Sequence, residues 1–350
     1  LPKTAWPPTS PNESWKRFCN TCERFYVAQK SITGDKSERL TRKLSISDAG
    51  ITMTFTIGDV VINTISTAIP EDSTGQRCIE GLNLAGMDLT GIDLSKMVLR
   101  NVNFNGSILR NAKFSGTICE GVDFTDCDLR NAEFENASLE KIDFRKARHL
   151  LNINFTNANL RNSNFSGKVL TGVNFTGSDL SNAYLAHIDF TKVIFFPSLI
   201  IGAVFDYSNL SDKNLSDKDL TNISCMYTNF SNANLTKCKL FNTNFSAAKF
   251  DNTNFTGTEG SNILFNHAWL FNTIFIDTIF KNACFFNAKV NNVSLKKAYL
   301  YNDNSNKKAN DSTEKQANDS TDKQANDSIE KQANDSTEKQ ANDSIEKQAN

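Results

Sequence analysis

Large apolar residues recur at every fifth position over most of the chain. Neither a helix of 3.6 residues per turn nor a strand of period two can bury that spacing on one face. The series begins at Leu84 and passes through Leu89, Leu94, Leu99 and Phe104 to Phe144. One extra residue falls near "RKARHLLN", and the frame restarts at Leu150 and holds to Leu300. Of the 44 centres, 39 are Leu or Phe; Cys119, Ile200, Cys225, Gly260 and Val290 depart. Two places before each centre stands a small or compact residue, such as Ala112, Ala132, Ala158, Ala183 or Ala233. The place before the centre is mostly Asn, Asp or Lys; after it come Ser, Thr or Arg, then Asn or Gly. Two side chains of each five therefore point inward and three outward, and the Asn/Gly place suits the left-handed backbone of a bend.

Five residues supply one short extended side and a turn, so four such units close a square coil of about 20 residues. Coils stacked through their backbones lie about 4.8 Å apart. One coil cannot bury its apolar face, but a stack can. The 44 centres predict about 11 coils and a rod of roughly 50 Å at that spacing.

"ANLRN" (158–162), "AEFEN" (132–136) and "ANLTK" (233–237) match the motif A(D/N)LXX, and residues 82 to 302 resemble the pentapeptide-repeat family. That resemblance implies an all-β fold, a right-handed quadrilateral β-helix. Lys168, Lys213 and Lys218 depart from the motif at small inward places, where a charge needs its stem to carry it back out. "SDKNLSDKDL" is therefore expected to be a weak coil or a corner distortion. Pro197 cannot donate to a ladder, so "FFPSLIIGAVF" (195–205) is expected to form a bulge or protruding loop.

The flanks predict three regions: an α+β capping segment over 1–78, the β-helix over 79–302 and a disordered tail over 303–350. Trp15, Phe18, Cys22, Phe25 and Tyr26 fit one helix face. Residues 44–66 alternate around "DAG" and "GD", as two or three short strands that would close the open end of the first coil. The tail repeats "ANDSTEKQ" in five eight-residue units from Ala309 to Gln348, with 11 acidic and 7 basic residues after Asn302 and no aromatic one. Such a composition cannot offset the entropy of ordering. The chain opens on Leu1 and so reads as a fragment or processed form; no charged-then-apolar leader and no run of about 20 apolar residues appears.

Composition bears on function mostly by what it lacks. With 38 basic and 39 acidic residues, net charge names no partner. Cys19 and Cys22 form a CxxC without a second pair at zinc spacing. Cys119, Cys127, Cys225 and Cys238 fall on inward places and read as packing residues with reduced thiols. His187 and His267 share a pentad place four coils apart, too far for a joint site. No catalytic, cofactor-binding or metal-ligating residue is assigned, and no cofactor. The resemblance implies a protein-binding role, and three forms of it can be set apart. An acidic DNA mimic that binds type II topoisomerases needs a field that residues 79–302 lack, with 20 acidic and 21 basic side chains. An effector ubiquitin ligase needs a catalytic lobe, and the residues after the pentads contain no Cys. A non-catalytic interaction scaffold needs only a rigid exposed face, and the arrangement resembles that of bacterial type III effectors of the pentapeptide-repeat kind. The expected partner is a protein, not nucleic acid or membrane, with Phe196, Trp269, Phe271, Tyr299 and Tyr301 as anchors. A homodimer through the C-terminal end of the rod stays open. The expected location is the bacterial cytoplasm, or a host cell reached by secretion without a conventional signal peptide.

Overall fold

The computed structural model describes residues 11–32, 40–57, 59–194 and 197–301. Parallel bridges join residues 20 apart before and after the inserted residue, as in Asn83↔Asn103 and Asn234↔Asn254, so four pentads make one coil of a right-handed quadrilateral β-helix of about 11 turns. Each corner is closed locally. The amide three places after a centre donates back to the centre's carbonyl, as from Ala158 to Phe155 (3.0 Å). The second turn residue alone has positive φ, for example Asn157 at 55° and Asn162 at 57°, which is the type II turn. Neighbouring coils are joined by the amide of each centre, as Phe155 to the carbonyl of Asn174 (2.8 Å).

Inward, the centres stack by face. Phe114, Phe134, Phe155 and Phe175 form one ladder with ring centroids 4.6, 5.4 and 5.5 Å apart. Rings on adjacent faces meet edge to face, as Phe114 and Phe124 do at 5.8 Å and 83°. Hydroxyls at the small inward places stay satisfied. Ser163 Oγ donates to the carbonyl of Leu160 in its own coil (2.6 Å), and Thr253 Oγ1 to that of Phe230 in the coil before (2.7 Å). Cys127 and Cys238 do the same through Sγ, toward Phe104 (2.9 Å) and Leu215 (3.0 Å). Burial pushes their thiols up to about 11 and about 12.

The chain divides into two compact units, Leu1–Ser163 with Thr171–Ser178, and Asn164–Leu170 with Asp179–Asn350. The first begins with helix α1 (Pro11–Ile32) and the antiparallel strands β1 (Leu40–Ser47), β2 (Gly50–Ile57) and β3 (Val60–Thr67). Ile51, Met53 and Phe55 alternate inward from β2, and Phe25 of α1 packs on Phe55 (4.7 Å). These elements hold the first coil by its backbone. Trp15 Nε1 donates to the Glu80 carbonyl (2.8 Å), the Arg42 guanidinium to those of Asn83 and Ala85, and Arg77 Nη2 to that of Ser47 (2.6 Å). Cys19 and Cys22 lie against this packing, and burial raises them to about 11 and about 12. Strands β4 (Cys78–Glu80), β5 (Val98–Arg100) and β6 (Ile118–Glu120) then run parallel up one side.

The inserted residue is absorbed by a 3-10 turn at Phe144–Lys146, capped by Asp143, which accepts from the Arg145 amide. Bridges that span it are 21 residues apart, as in Asp128↔His149, and the Cys127 carbonyl accepts from both Arg148 (2.8 Å) and His149 (3.4 Å). A second such turn at Phe190–Lys192 is capped by Asp189 and leaves the frame unchanged.

The second unit carries β7 (Glu259–Ser261), β9 (Ile279–Lys281) and β11 (Tyr299–Tyr301) on one side. β8 (Trp269–Phe271) and β10 (Lys289–Asn291) lie two pentads away, on the opposite side. "SDKNLSDKDL" corrects the expectation of a weak coil. Its turns close normally, Lys213 to Leu210 (3.3 Å) and Lys218 to Leu215 (3.2 Å). The lysine stems reach the preceding coil, where Nζ of Lys213 donates to the Val193 carbonyl (3.2 Å) and Nζ of Lys218 to that of Pro197 (3.0 Å). The charge is taken up by carbonyls that flank the Pro197 segment, so the coil has no reason to distort. Of the bulge expected over 195–205, residues 197–205 instead form an ordinary coil, with the Ala203 amide donating to the Ile200 carbonyl (3.0 Å) and Gly202 to that of Thr221 (2.9 Å), while Phe195, Phe196 and the tail over 303–350 lie outside the described residues.

Left-handed corners of the second unit carry a polar ladder. Asn272 Nδ2 donates to Asn252 Oδ1 (3.0 Å), Asn252 to Asn232 (3.1 Å) and Asn232 to Asp212 (3.0 Å). An amide can both donate and accept along such a column and also tolerates positive φ. Asn252→Ala should cost about 1–2 kcal/mol, from two lost hydrogen bonds and an unfavourable left-handed alanine. Asn252→Gly should cost less, because only the hydrogen bonds go. Equal losses in chemical denaturation would show that the column bonds, not the backbone, set the preference.

Candidate interaction surface

Trp269 precedes the centre Leu270 and so points outward from β8, 41% exposed. The pleat puts Phe271 on the same outer face, with ring centroids 5.9 Å apart. Parallel register sets Lys249 and Lys289 beside Trp269 from the coils on either side. Lys289 Nζ lies 4.1 Å from the indole centroid, a cation–π contact that ties the ring to the next coil. Lys249 pairs instead with Asp251 (2.9 Å). Tyr299 and Tyr301 project from β11, 44% and 51% exposed, with Ile279 below Tyr299. They stand on the opposite side of the coil from Trp269. The structure thus brings together Trp269 and Phe271, and separately Tyr299 and Tyr301, but not the two pairs. Phe196 lies outside the described residues.

A third aromatic group was not recognised from the sequence. His187, Tyr207 and Tyr227 occupy the left-handed place of successive coils, with φ of 58°, 60° and 57°. Their rings stack at 4.8 Å, tilted by only 6° and 5°. Tyr207 and Tyr227 remain 53% and 54% exposed. The signal lay in every twentieth residue rather than every fifth: 187, 207, 227, 247 and 267 read His, Tyr, Tyr, Ala, His.

One carboxylate of the first unit is held by two arginines. Asp128 is buried between Arg110 (2.6 Å) and Arg130 (2.6 Å), and these hydrogen bonds, that of Arg130 above all, hold its carboxyl far below the usual carboxylate range. A concavity of 570 Å³ bordered by Ile118, Glu120, Asp123, Lys141, Asp143 and Lys146 mixes both signs. Among the described residues, no three His, Cys, Asp or Glu side chains come together so as to hold a metal ion. No described helix is long and apolar enough to cross a membrane. All eight cysteines are free.

A sequence profile described as pentapeptide repeats matches in eight copies, over 80–116, 107–146, 153–193 and 219–257. The chain belongs to the pentapeptide-repeat family. Among similar solved structures is a pentapeptide repeat protein from the thylakoid lumen of Arabidopsis thaliana, 35% identical, covering 30% of this chain and 69% of that one, with a TM-score of 0.24. HetL, a pentapeptide repeat protein involved in heterocyst differentiation regulation in the cyanobacterium Nostoc, is 23% identical over 65% of this chain and 93% of its own, TM-score 0.20. QnrB1, a plasmid-mediated fluoroquinolone resistance protein, is 20% identical over 53% and 85%, TM-score 0.19. No curated protein matches. The pentapeptide-repeat frame explains the surface. Its inward places are committed to the ladders, so any contact must use the three outward places of each pentad.

Proposed function

We propose that this pentapeptide-repeat protein is a non-catalytic scaffold that binds a protein partner through aromatic side chains fixed on its outer faces. The observation that supports this most is Trp269, a large half-exposed ring in cation–π contact with Lys289 and beside Phe271. A ring already ordered loses little entropy on binding, which is how interface anchors gain their effect. The near balance of 20 acidic and 21 basic residues over 79–302 disfavours a DNA-like field. The finer reading, an effector acting in a host cell after secretion, is supported by the succession of α+β segment, pentads and octapeptide tail.

The test is capture by the immobilised full-length chain from bacterial and host-cell lysates, compared with Trp269→Ala and Tyr299→Ala. Trp269→Ala should lower partner retention at least tenfold, the scale of a binding hot spot, with its melting temperature within about 2 °C of the parent. Identical capture by the Trp269→Ala variant, or salt-sensitive binding to a type II topoisomerase, would overturn the proposal.

A further inference from the structure

The stacked corner of the second unit stops one rung short. His187, Tyr207 and Tyr227 rise at 4.8 Å per coil, and the next ring in the same column is His267. Between them stands Ala247, at the same left-handed place with φ 58°. The backbone register is unbroken across the gap. Tyr227 N donates to the Ser246 carbonyl (3.0 Å), and Ala247 N to that of Asn266 (2.7 Å). Tyr227 and His267 are thus two coil steps apart, about 9.6 Å at the strand spacing, with only a methyl group between them. That is room for one planar ring at the step the ladder already uses.

Three features favour a ligand over a gap. Left-handed alanine is strained and offers none of the hydrogen bonds with which Asn offsets that strain at other corners. The walls are fixed: Tyr227 is stacked on Tyr207, and His267 stands edge-on to Phe286 at 5.4 Å and 84°. In the turn beside His267, Asn266 Oδ1 is a buried acceptor with no hydrogen-bond partner, and a turn of its amide toward the slot would offer it to an N–H on an incoming ring.

We propose that the Ala247 slot receives one aromatic side chain of the partner protein, with indole the best fit because it carries a ring N–H. This rests on the scaffold reading only in assigning the ring to a protein. The charges support that assignment. The residues of this corner, 186–189, 206–209, 226–229, 246–249 and 266–269, include Asp189 and Asp206 against Lys249 alone. A nucleic acid would need a cationic track for its phosphates, and there is none.

The probe is N-acetyl-tryptophanamide, titrated into the full-length protein with alanine methyl groups labelled for NMR. The Ala247 methyl should move upfield along a saturable curve, as it passes under a ring current. N-acetyl-leucinamide should bind at least about fivefold more weakly, as should Tyr227→Ser toward the indole, in line with the worth of an aromatic pair. Ala247→Trp should abolish the response by filling the slot. Tyr227→Ser alters only a half-exposed side chain and decides the matter if Ala247→Trp fails to fold. The slot is disproved by an unmoved Ala247 methyl, by equal binding of the leucine amide, by unchanged affinity in Tyr227→Ser, or by tighter binding of adenosine monophosphate. Absent indole binding with Trp269-dependent capture intact would sink the slot alone. The converse pattern would sink the scaffold reading alone.

Discussion

Phe175→Ala should destabilise the first unit by about 3–5 kcal/mol, the range for deleting a buried phenylalanine. Phe175 is wholly buried, stacks on Phe155 at 5.5 Å and 6°, and shares a ladder with Phe114 and Phe134. Removal strips one rung and leaves a gap that the fixed coil spacing cannot close. Asn174, one place away and outward, makes the control. Position alone would put the cost of Asn174→Ala within about 0.5 kcal/mol, as for an ordinary surface site. The structure raises it to about 1 kcal/mol. Asn174 Oδ1 accepts from the amide (2.9 Å) and hydroxyl (2.7 Å) of Thr176, and Nδ2 donates to Thr156 Oγ1 (3.1 Å) in the coil before. Denaturant titration of both variants, followed by hydrogen exchange at Phe155 and Asn157, separates the two. Equal losses would mean that centre and flank are not distinct places, and the pentad register would fail.

Much of the fold was legible because one residue in five carries it. Leu or Phe at the centres, small residues two before and Asn or Gly two after each answer to one local requirement, so the four-sided coil follows from composition by place. The frame slip at "RKARHLLN" was visible as one extra residue; its resolution into a 3-10 turn capped by Asp143 was not, since that depends on which carbonyls lay free in the coil before. Lys213 and Lys218 misled for the same reason. Their acceptors are the Val193 and Pro197 carbonyls, 20 and 21 residues back, which a five-residue window does not contain. The interaction surface was legible only in part. Trp269 and Phe271 stood out as outward aromatics, but the cation–π contact of Lys289 needs the coil register. The His187–Tyr207–Tyr227 stack appears only when the chain is read at 20.

Gly260→Leu should lower the stability of the second unit by about 3 kcal/mol, although it restores the family's preferred centre. Gly260 is the one centre without a side chain, and the sequence rule alone predicts that Leu there completes a ladder and stabilises. Its column is already occupied above and below by Leu240 and Phe280, both wholly buried. A Cβ at Gly260 would lie 2.5 Å from the Leu240 carbonyl oxygen, 2.8 Å from its carbon and 2.9 Å from its Cβ. Two of those atoms are backbone, and the backbone is tied by the bond from Leu240 N to the Glu259 carbonyl (2.8 Å). A flexible side chain could yield; this contact can relax only by prising the coils apart. Glycine is required here by close approach, since its φ is not in the left-handed range. Gly260→Ala should already cost about 1–3 kcal/mol, and the added bulk of Leu should take more. At about 2–4 °C per kcal/mol for a unit of this size, the Leu variant should melt roughly 6–12 °C below the parent. Calorimetry of the two variants reads the sign. A rise in melting temperature for Gly260→Leu would show that the column opens freely and that the centre rule outranks the close approach.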